Sequence, residues 1–289
     1  MIRKNIRMRK EYLYHKSQEL AHAKDADKRQ KLKRAQDNDR AAPNELRKEL
    51  GKVQNDLALA DDKTMHARSH IDDEYEASNY RDPKVLITTS RNPSQRLTSF
   101  QKELKLIVPN SVRVNRGAYV IKDLVKISQQ NTFTDLIIIH ETRGEPDGLI
   151  ISHLPYGPTA YFGLCNVVLR HDLKDKVDPV SEAFPHLIFD NFSTRVGDRL
   201  TDILKHIWPM PKVDSKRIVT FANRDDFISF RHHVYRKSDH KSVETKELGP
   251  RFEMKPYQIC LGTVDQTNAQ KEWVLRPYMN NSKSKSNLA

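Results

Sequence analysis

Arginines stand at most of the positions where this chain could do chemistry, and they sit in short loops of the kind that meets phosphate. The loop TTSRNPSQR, residues 88–96, leads from the end of a strand-like run into a helix-like one. Asn92 suits a helix N-cap and Pro93 the first turn. A helix N-terminus flanked by Arg91 and Arg96, with Ser90 beside it, is a natural cradle for a phosphate; the alternative is ordinary capping with two solvated arginines. A second candidate joins Asn115, Arg116 and Gly117 with Arg143 and Gly144 of the turn ETRG. Glycine there permits a sharp bend and a close approach of backbone to ligand, although two ordinary turns would read the same way. The third is the basic turn Leu169-Arg170-His171-Asp172. His171 beside Asp172 has the residue types for acid–base work, but adjacent side chains point apart and no nucleophile accompanies them, so no catalytic residue is assigned. In DFISFRHHVYR, residues 226–236, Phe227, Ser229, Arg231, His233 and Tyr235 share one face of a strand, and Ile228, Phe230, His232 and Val234 share the other. Aromatic rings interleaved with a cation are how a sheet stacks unpaired bases and holds their phosphates, though half-buried strands also carry aromatics on both faces.

Other chemistries lack their parts. No G-x4-G-K-[ST] phosphate loop occurs, so nucleotide hydrolysis has no visible machinery. The histidines show no H-x3-H pair with a carboxylate, and Cys165 and Cys260 are too far apart for a C-x2-C site, so neither a metal nor another cofactor is expected. Both cysteines sit in apolar strand-like runs and read as buried free thiols. Lysine plus arginine outnumber aspartate plus glutamate by 50 to 38, a net charge of +12. That balance calls for a polyanionic partner, nucleic acid before membrane surface. No run approaches the roughly 20 apolar residues of a membrane span and the N-terminus lacks a signal-peptide core, so the chain is expected to stay in cytosol or nucleus; neither a membrane partner nor a small-molecule substrate is expected.

The elements that must position these residues begin after a long preamble. Residues 1–42 form a basic arm without Gly or Pro, expected helical until Pro43. Ile6, Leu13 and Leu20 recur at a seven-residue spacing, a stripe too thin for a core and suited to docking on a partner, with Arg9 beside it. Residues 43–82 read as an acidic linker. From residue 83 strands and helices alternate: strand 85–89, helix 93–108, strand 112–115, helix 121–130, then strands 135–140, 148–153 and 160–168. After a loop the order partly repeats, with strand 187–192, helix 195–208, and strands 217–222, 226–236, 243–248 and 251–261. The fold class is therefore α/β, an α+β sandwich in two similar halves of about 83–180 and 181–264, followed by a polar tail, 265–289. In GPRFEMKPYQICLGTV, residues 249–264, Arg251, Glu253 and Lys255 alternate with Phe252 and Met254 until Pro256 shifts the phase. This reads as a bulged or edge strand, with Phe252 exposed for a partner.

Taken together, DPKVLITTSRNPSQRL, HETRGEPDGLIISHLPYGPTAYF, NVVLRHD, PHLIFDNF, RIVTFANRDDFISFRHHVY and GPRFEMKPYQICLGTV resemble the Brix domain across residues 83–264. The flanking MRKEYLYHK, residues 8–16, and DDEY, residues 72–75, are similar to the branch of that family found in the U-three small nucleolar ribonucleoprotein. The resemblance implies two halves like the anticodon-binding domains of class II tRNA synthetases and a nucleolar location in the small-subunit processome. It also implies a role in pairing the U-three small nucleolar RNA with pre-rRNA, alongside M-phase phosphoprotein ten and a small S4-like protein. The expectation is a non-catalytic RNA-binding factor that uses Ser90, Arg91, Arg96, Asn115, Arg116, Arg143, Arg170, His171, Phe227, Arg231, Tyr235 and Arg251. A protein scaffold with incidental RNA contact is the alternative, and an NTP-consuming enzyme relying on Lys102 or Asp135 a distant third.

Overall fold

The computed structural model describes residues 81–173, 177–212, 214–237 and 242–276, together with 74–79, 46, 47, 288 and helical positions between 9 and 35. Residues 1–82 and 83–289 are two separate units. In the first, every described position between 9 and 35 is helical, with Arg9, Leu13 and Leu20 exposed, and a 3-10 turn spans Glu76–Asn79. Ile6, most of the acidic linker and the tail between 277 and 287 lie outside the described residues.

The second unit runs β1 (Val85–Thr89), α1 (Gln95–Ile107), β2 (Ser111–Arg113), α2 (Ile121–Gln130), β3 (Asp135–Thr142), β4 (Glu145–His153), β5 (Thr159–Val168), β6 (His186–Asp190), α3 (Arg195–Lys205), β7 (Arg217–Arg224), β8 (Phe227–Lys237), β9 (Val243–Glu247), β10 (Arg251–Cys260) and β11 (Lys271–Val274). This is the mixed α/β class expected. All eleven strands join one sheet in the order β2-β1-β3-β4-β5-β10-β8-β7-β6, with β9 beside β8 and β11 beside β10. Only β1–β2, β1–β3 and β6–β7 are parallel. Parallel neighbours need a crossover, and α1, α2 and α3 supply the three. β1, VLITT, is buried at every position, its two threonines included, as a strand between parallel partners and covered on both faces must be.

α1 lays Leu97, Phe100, Leu104 and Ile107 on one face of the sheet. There they meet Ile137, Leu149 and Ile151, and also Leu204, Phe221, Phe230, Phe252 and Met254 around a shared cleft. α2 covers the opposite face, where Val125 packs with Leu86, Leu136, Ile138, Ile150 and Leu154. α3 buries Leu200, Ile203 and Leu204 on the α1 side. No described helix packs on the other face of β6, β7 and β8.

Three expectations change here. The α1 N-cap is Ser94, whose Oγ accepts from Leu97 N at 3.1 Å, while Asn92 sits outside the helix with φ 51°. β10 is no edge: it lies between β5 and β8, with register shifts against β5 beside Phe252 and beside Pro256, where an absent N–H is tolerated. The span read as polar tail contributes β11, which pairs with β10. Leu288 also returns to the fold: its carbonyl accepts from Ser193 N at 3.1 Å, and its N–H donates to Asp226 Oδ1 at 2.9 Å.

Candidate nucleic-acid interface

The carboxyl ends of β1, β2 and β3 lie side by side, and the loops that leave them carry the first two groups of arginines. Ser90 follows β1 and is tied to β3 through its N–H to Ile139 O at 2.9 Å, while its Oγ is buried without a partner. Arg91 and Asn115 are exposed. Arg116, after β2, is only 6% exposed, and its Nε donates to Tyr119 O at 2.9 Å. Its guanidinium is pushed below the ordinary arginine value by burial first and by the charge of Arg91 second. His140, at the end of β3, is lowered by burial and by Arg116 against the opposing pull of Asp147. Arg143 and Gly144 form the β3–β4 turn with φ of 56° and 82°, which holds the Arg143 side chain out in solvent.

Arg96 does not stand free as the sequence suggests. Its Nε lies 2.7 Å from Glu145 Oε2, an ion-pair contact too poorly angled for a hydrogen bond, and Nη2 reaches Val167 O at 3.4 Å and Asp172 Oδ2 at 3.8 Å. The α1 N-terminus is likewise occupied, since Ser94 N donates to Glu141 Oε1 at 2.9 Å. A carboxylate already sits where the sequence placed a phosphate.

Arg170 is also a bracket. Its Nε donates to Leu248 O at 3.0 Å and Nη2 to Asp178 O at 2.8 Å, while its backbone N–H meets both oxygens of Glu103. Burial raises the Glu103 carboxyl, and the Arg170 N–H and the His171 charge oppose it. His171 is exposed, 3.5 Å from Glu103 and from Asp172.

On β8 the alternation is as read. Phe227, Ser229, Arg231, His233 and Tyr235 are half-buried on the face that no described helix covers, and Ile228, Phe230 and His232 are buried beneath. Their neighbours on that face include Lys255, whose Nζ lies 4.6 Å above the Phe227 ring, and the exposed Ile188 of β6. Arg231 is partly engaged, with Nη1 to Phe230 O at 2.9 Å and Nη2 at 4.0 Å from Glu253. Tyr235 Oη donates to Ser215 O at 3.2 Å, and Arg251 Nη1 to Glu247 Oε2 at 3.4 Å. Cys165, expected buried, is exposed, whereas Cys260 is buried; both are free thiols.

Phe252, expected at the surface, is core. Its ring stacks on Phe230 at 4.4 Å and meets Phe100 edge-on at 5.5 Å, because from Arg251 to the bulge after Pro256 odd-numbered β10 residues take the open face and even-numbered ones the interior. Two arrangements escaped the sequence reading. Arg217, fully buried, donates to Ser181 O, Ala183 O, Leu106 O and Ile107 O and to His232 Nε2. His153 Nδ1 lies 2.8 Å from Asp135 Oδ1, whose other oxygen accepts from Thr134 Oγ1. The neighbouring Ser152 Oγ pairs with Thr159 Oγ1. Alternation marked both Arg217 and His153 as inward-facing polar residues, which was the available signal. Among the described residues no group of three His, Cys, Asp or Glu side chains could hold a metal ion.

The Brix domain profile matches residues 90–258. This chain belongs to the Brix-domain family. It is 51% identical over 286 residues to the U3 small nucleolar ribonucleoprotein protein IMP4 of Homo sapiens, covering 99% of this chain and 98% of that one. To the protein of the same name from Schizosaccharomyces pombe it is 46% identical, covering 96% of each. The Brix domain here also has a distant likeness to the crystal structure of a probable ribosomal biogenesis protein from Aeropyrum pernix, with TM-score 0.47 and 19% identity over 60% of this chain and 96% of that one.

Proposed function

We propose that this Brix-domain protein is a non-catalytic, RNA-holding component of a nucleolar U3 small nucleolar ribonucleoprotein that acts in ribosome biogenesis. In this reading it promotes pairing of the U3 RNA with pre-rRNA during early small-subunit processing, beside M-phase phosphoprotein ten and the small S4-like protein. Near-full-length identity to relatives bearing that ribonucleoprotein's name supports the setting. The observation that carries RNA holding is the contrast between the two places on one sheet face. Where α2 covers it the strands present Leu86, Leu136, Ile138 and Ile150. Where no described helix covers it they present Phe227, Ser229, Arg231 and Tyr235 with Lys255 and Arg251. Cations among rings suit the phosphates and bases of an unpaired strand. No covalent step is required, since basic side chains lower the repulsion between two RNA strands that must meet.

The helical arm carries the second reading. Leu13 and Leu20 are each helical and exposed, and their seven-residue spacing suits an apolar stripe that fits a protein partner. Protein docking through the arm and RNA holding by the domain are compatible.

Filter binding of single-stranded RNA to the full chain across a salt series tests the proposal. Lys255→Ala and Arg251→Ala should each weaken binding and flatten the log–log salt slope by about 0.7. A salt-independent wild type, or variants with the wild-type slope, would defeat it.

A further inference from the structure

The strand connections put a ligand site at a definable place. From β1 the chain leaves through α1 on one face of the sheet, and from β2 it leaves through α2 on the other. In the order β2-β1-β3 the strand sequence reverses at β1, and the usual ligand crevice of such sheets opens at the carboxyl ends beside the β1 loop. Arg91 is two residues beyond β1 and Arg116 three beyond β2, so one arginine stands on each lip.

Their electrostatic state is unusual. Arg116 is buried, yet among the described residues neither it nor Arg91 forms an ion pair. The guanidiniums are close enough for Arg91 to disfavour the charge on Arg116. A buried cation is ordinarily matched by a carboxylate, and two like charges side by side are costly unless an anion joins them. Of the nearby acids, Glu141 receives Ser94 N on Oε1 while its Oε2 is buried without a partner, and Asp147 receives the Thr142 hydroxyl. Arg116 is also held in place, because its Nε–H is committed to Tyr119 O, and among the described residues its Nη groups form no hydrogen bond. Guanidinium pairs of this kind recognise phosphate through several charge-assisted hydrogen bonds.

We propose that the crevice between the β1 and β2 loops is a one-phosphate site, in which Arg91 and Arg116 clasp a single phosphodiester of a bound RNA chain. This rests on the RNA-holding reading but selects within it. Arg96, spent on Glu145, and the α1 N-terminus, closed by Glu141, are outside the site, while Ser90, with its unpartnered Oγ, is within it. A buried arginine cannot follow a flat, continuous backbone, so the RNA must present that phosphate at a bend.

The test uses full-length protein labelled for arginine side-chain NMR, since the Arg116 Nε–H is protected by its hydrogen bond and reports directly. Inorganic phosphate at neutral pH and constant ionic strength should shift the Arg116 signal saturably, whereas chloride should not. Arg91→Ala, at an exposed position that leaves folding intact, should weaken that binding by about tenfold. A 5′-hydroxyl RNA oligonucleotide should move the same signal and displace the phosphate. If inorganic phosphate gives no saturable shift while RNA still binds with a salt slope, the site is overturned and RNA holding stands. If phosphate binds but RNA leaves Arg116 unmoved, the pocket serves some other phosphate and the assignment to RNA is overturned. Loss of both responses sinks the site and the broader reading together.

Discussion

Acid should loosen this protein through one imidazole. His232 is fully buried in β8, with Nε2 accepting from Arg217 Nε at 3.2 Å and Nδ1 facing Gly249 O at 3.0 Å, which fixes the proton on Nδ1. A second proton would turn the Nε2 acceptor into a donor pointed at a guanidinium. Burial first, and the Arg217 charge second, lower the folded-state value from 6.5 to about 4, against a smaller opposing pull from the Gly249 carbonyl. The unfolded chain therefore takes up the proton first as the solution is acidified. The contribution is whole above pH 6.5 and is lost as pH falls toward 4. A difference of about 2.5 pH units at about 1.36 kcal/mol each is about 3 kcal/mol, a large share of the 5–15 kcal/mol that holds a typical domain together. His140 and His233 are lowered in the same direction, and Glu103 is raised, so the total acid response mixes several groups. Urea unfolding of wild type and His232→Asn at intervals from pH 7.5 to 4 isolates the one that matters. The variant should be less stable at pH 7.5 and the gap should close by about 3 kcal/mol toward pH 4. Parallel curves across that range would refute the argument.

Phe252→Ala removes a ring held between Phe230 and Phe100 and should lower the unfolding free energy by about 4 kcal/mol in urea titration. A surface docking residue would change it by less than about 0.5 kcal/mol. Arg217→Met leaves the carbonyls of Leu106, Ile107, Ser181 and Ala183 without their donor and should cost about 3 kcal/mol, with amide exchange rising first at the end of α1. Unchanged exchange there would show that the guanidinium does not tie that helix end down.

Much of the fold was readable locally. β1 and α2 have the bounds that local pattern gave them, since a short run rich in β-branched residues and an i, i+3, i+4 pattern leave little choice. The two faces of β8 also followed from strict alternation. What local pattern could not show was who sits beside whom. β10 looks like an edge because it carries a proline and cations, but its neighbours β5 and β8 are set by pairings made far along the chain. The same blindness made free cations of Arg96 and Arg170, whose partners Glu145 and Leu248 are distant in sequence. Ser94 displaced Asn92 as the cap because the helix starts later than Pro93 suggests. Lys271–Val274 has too few apolar residues to announce a strand and owes its conformation to the neighbour it pairs with.

The order in which the chain is made sets a condition on its assembly. The strand that closes the sheet at its centre, β10, is nearly the last one synthesised, so the flanks of β5 and β8 stay open until residue 260 has emerged. Open flanks of that kind recruit foreign strands. A ribosome-bound nascent copy, or one truncated before Arg251, is thus a sticky species rather than a smaller version of the finished molecule.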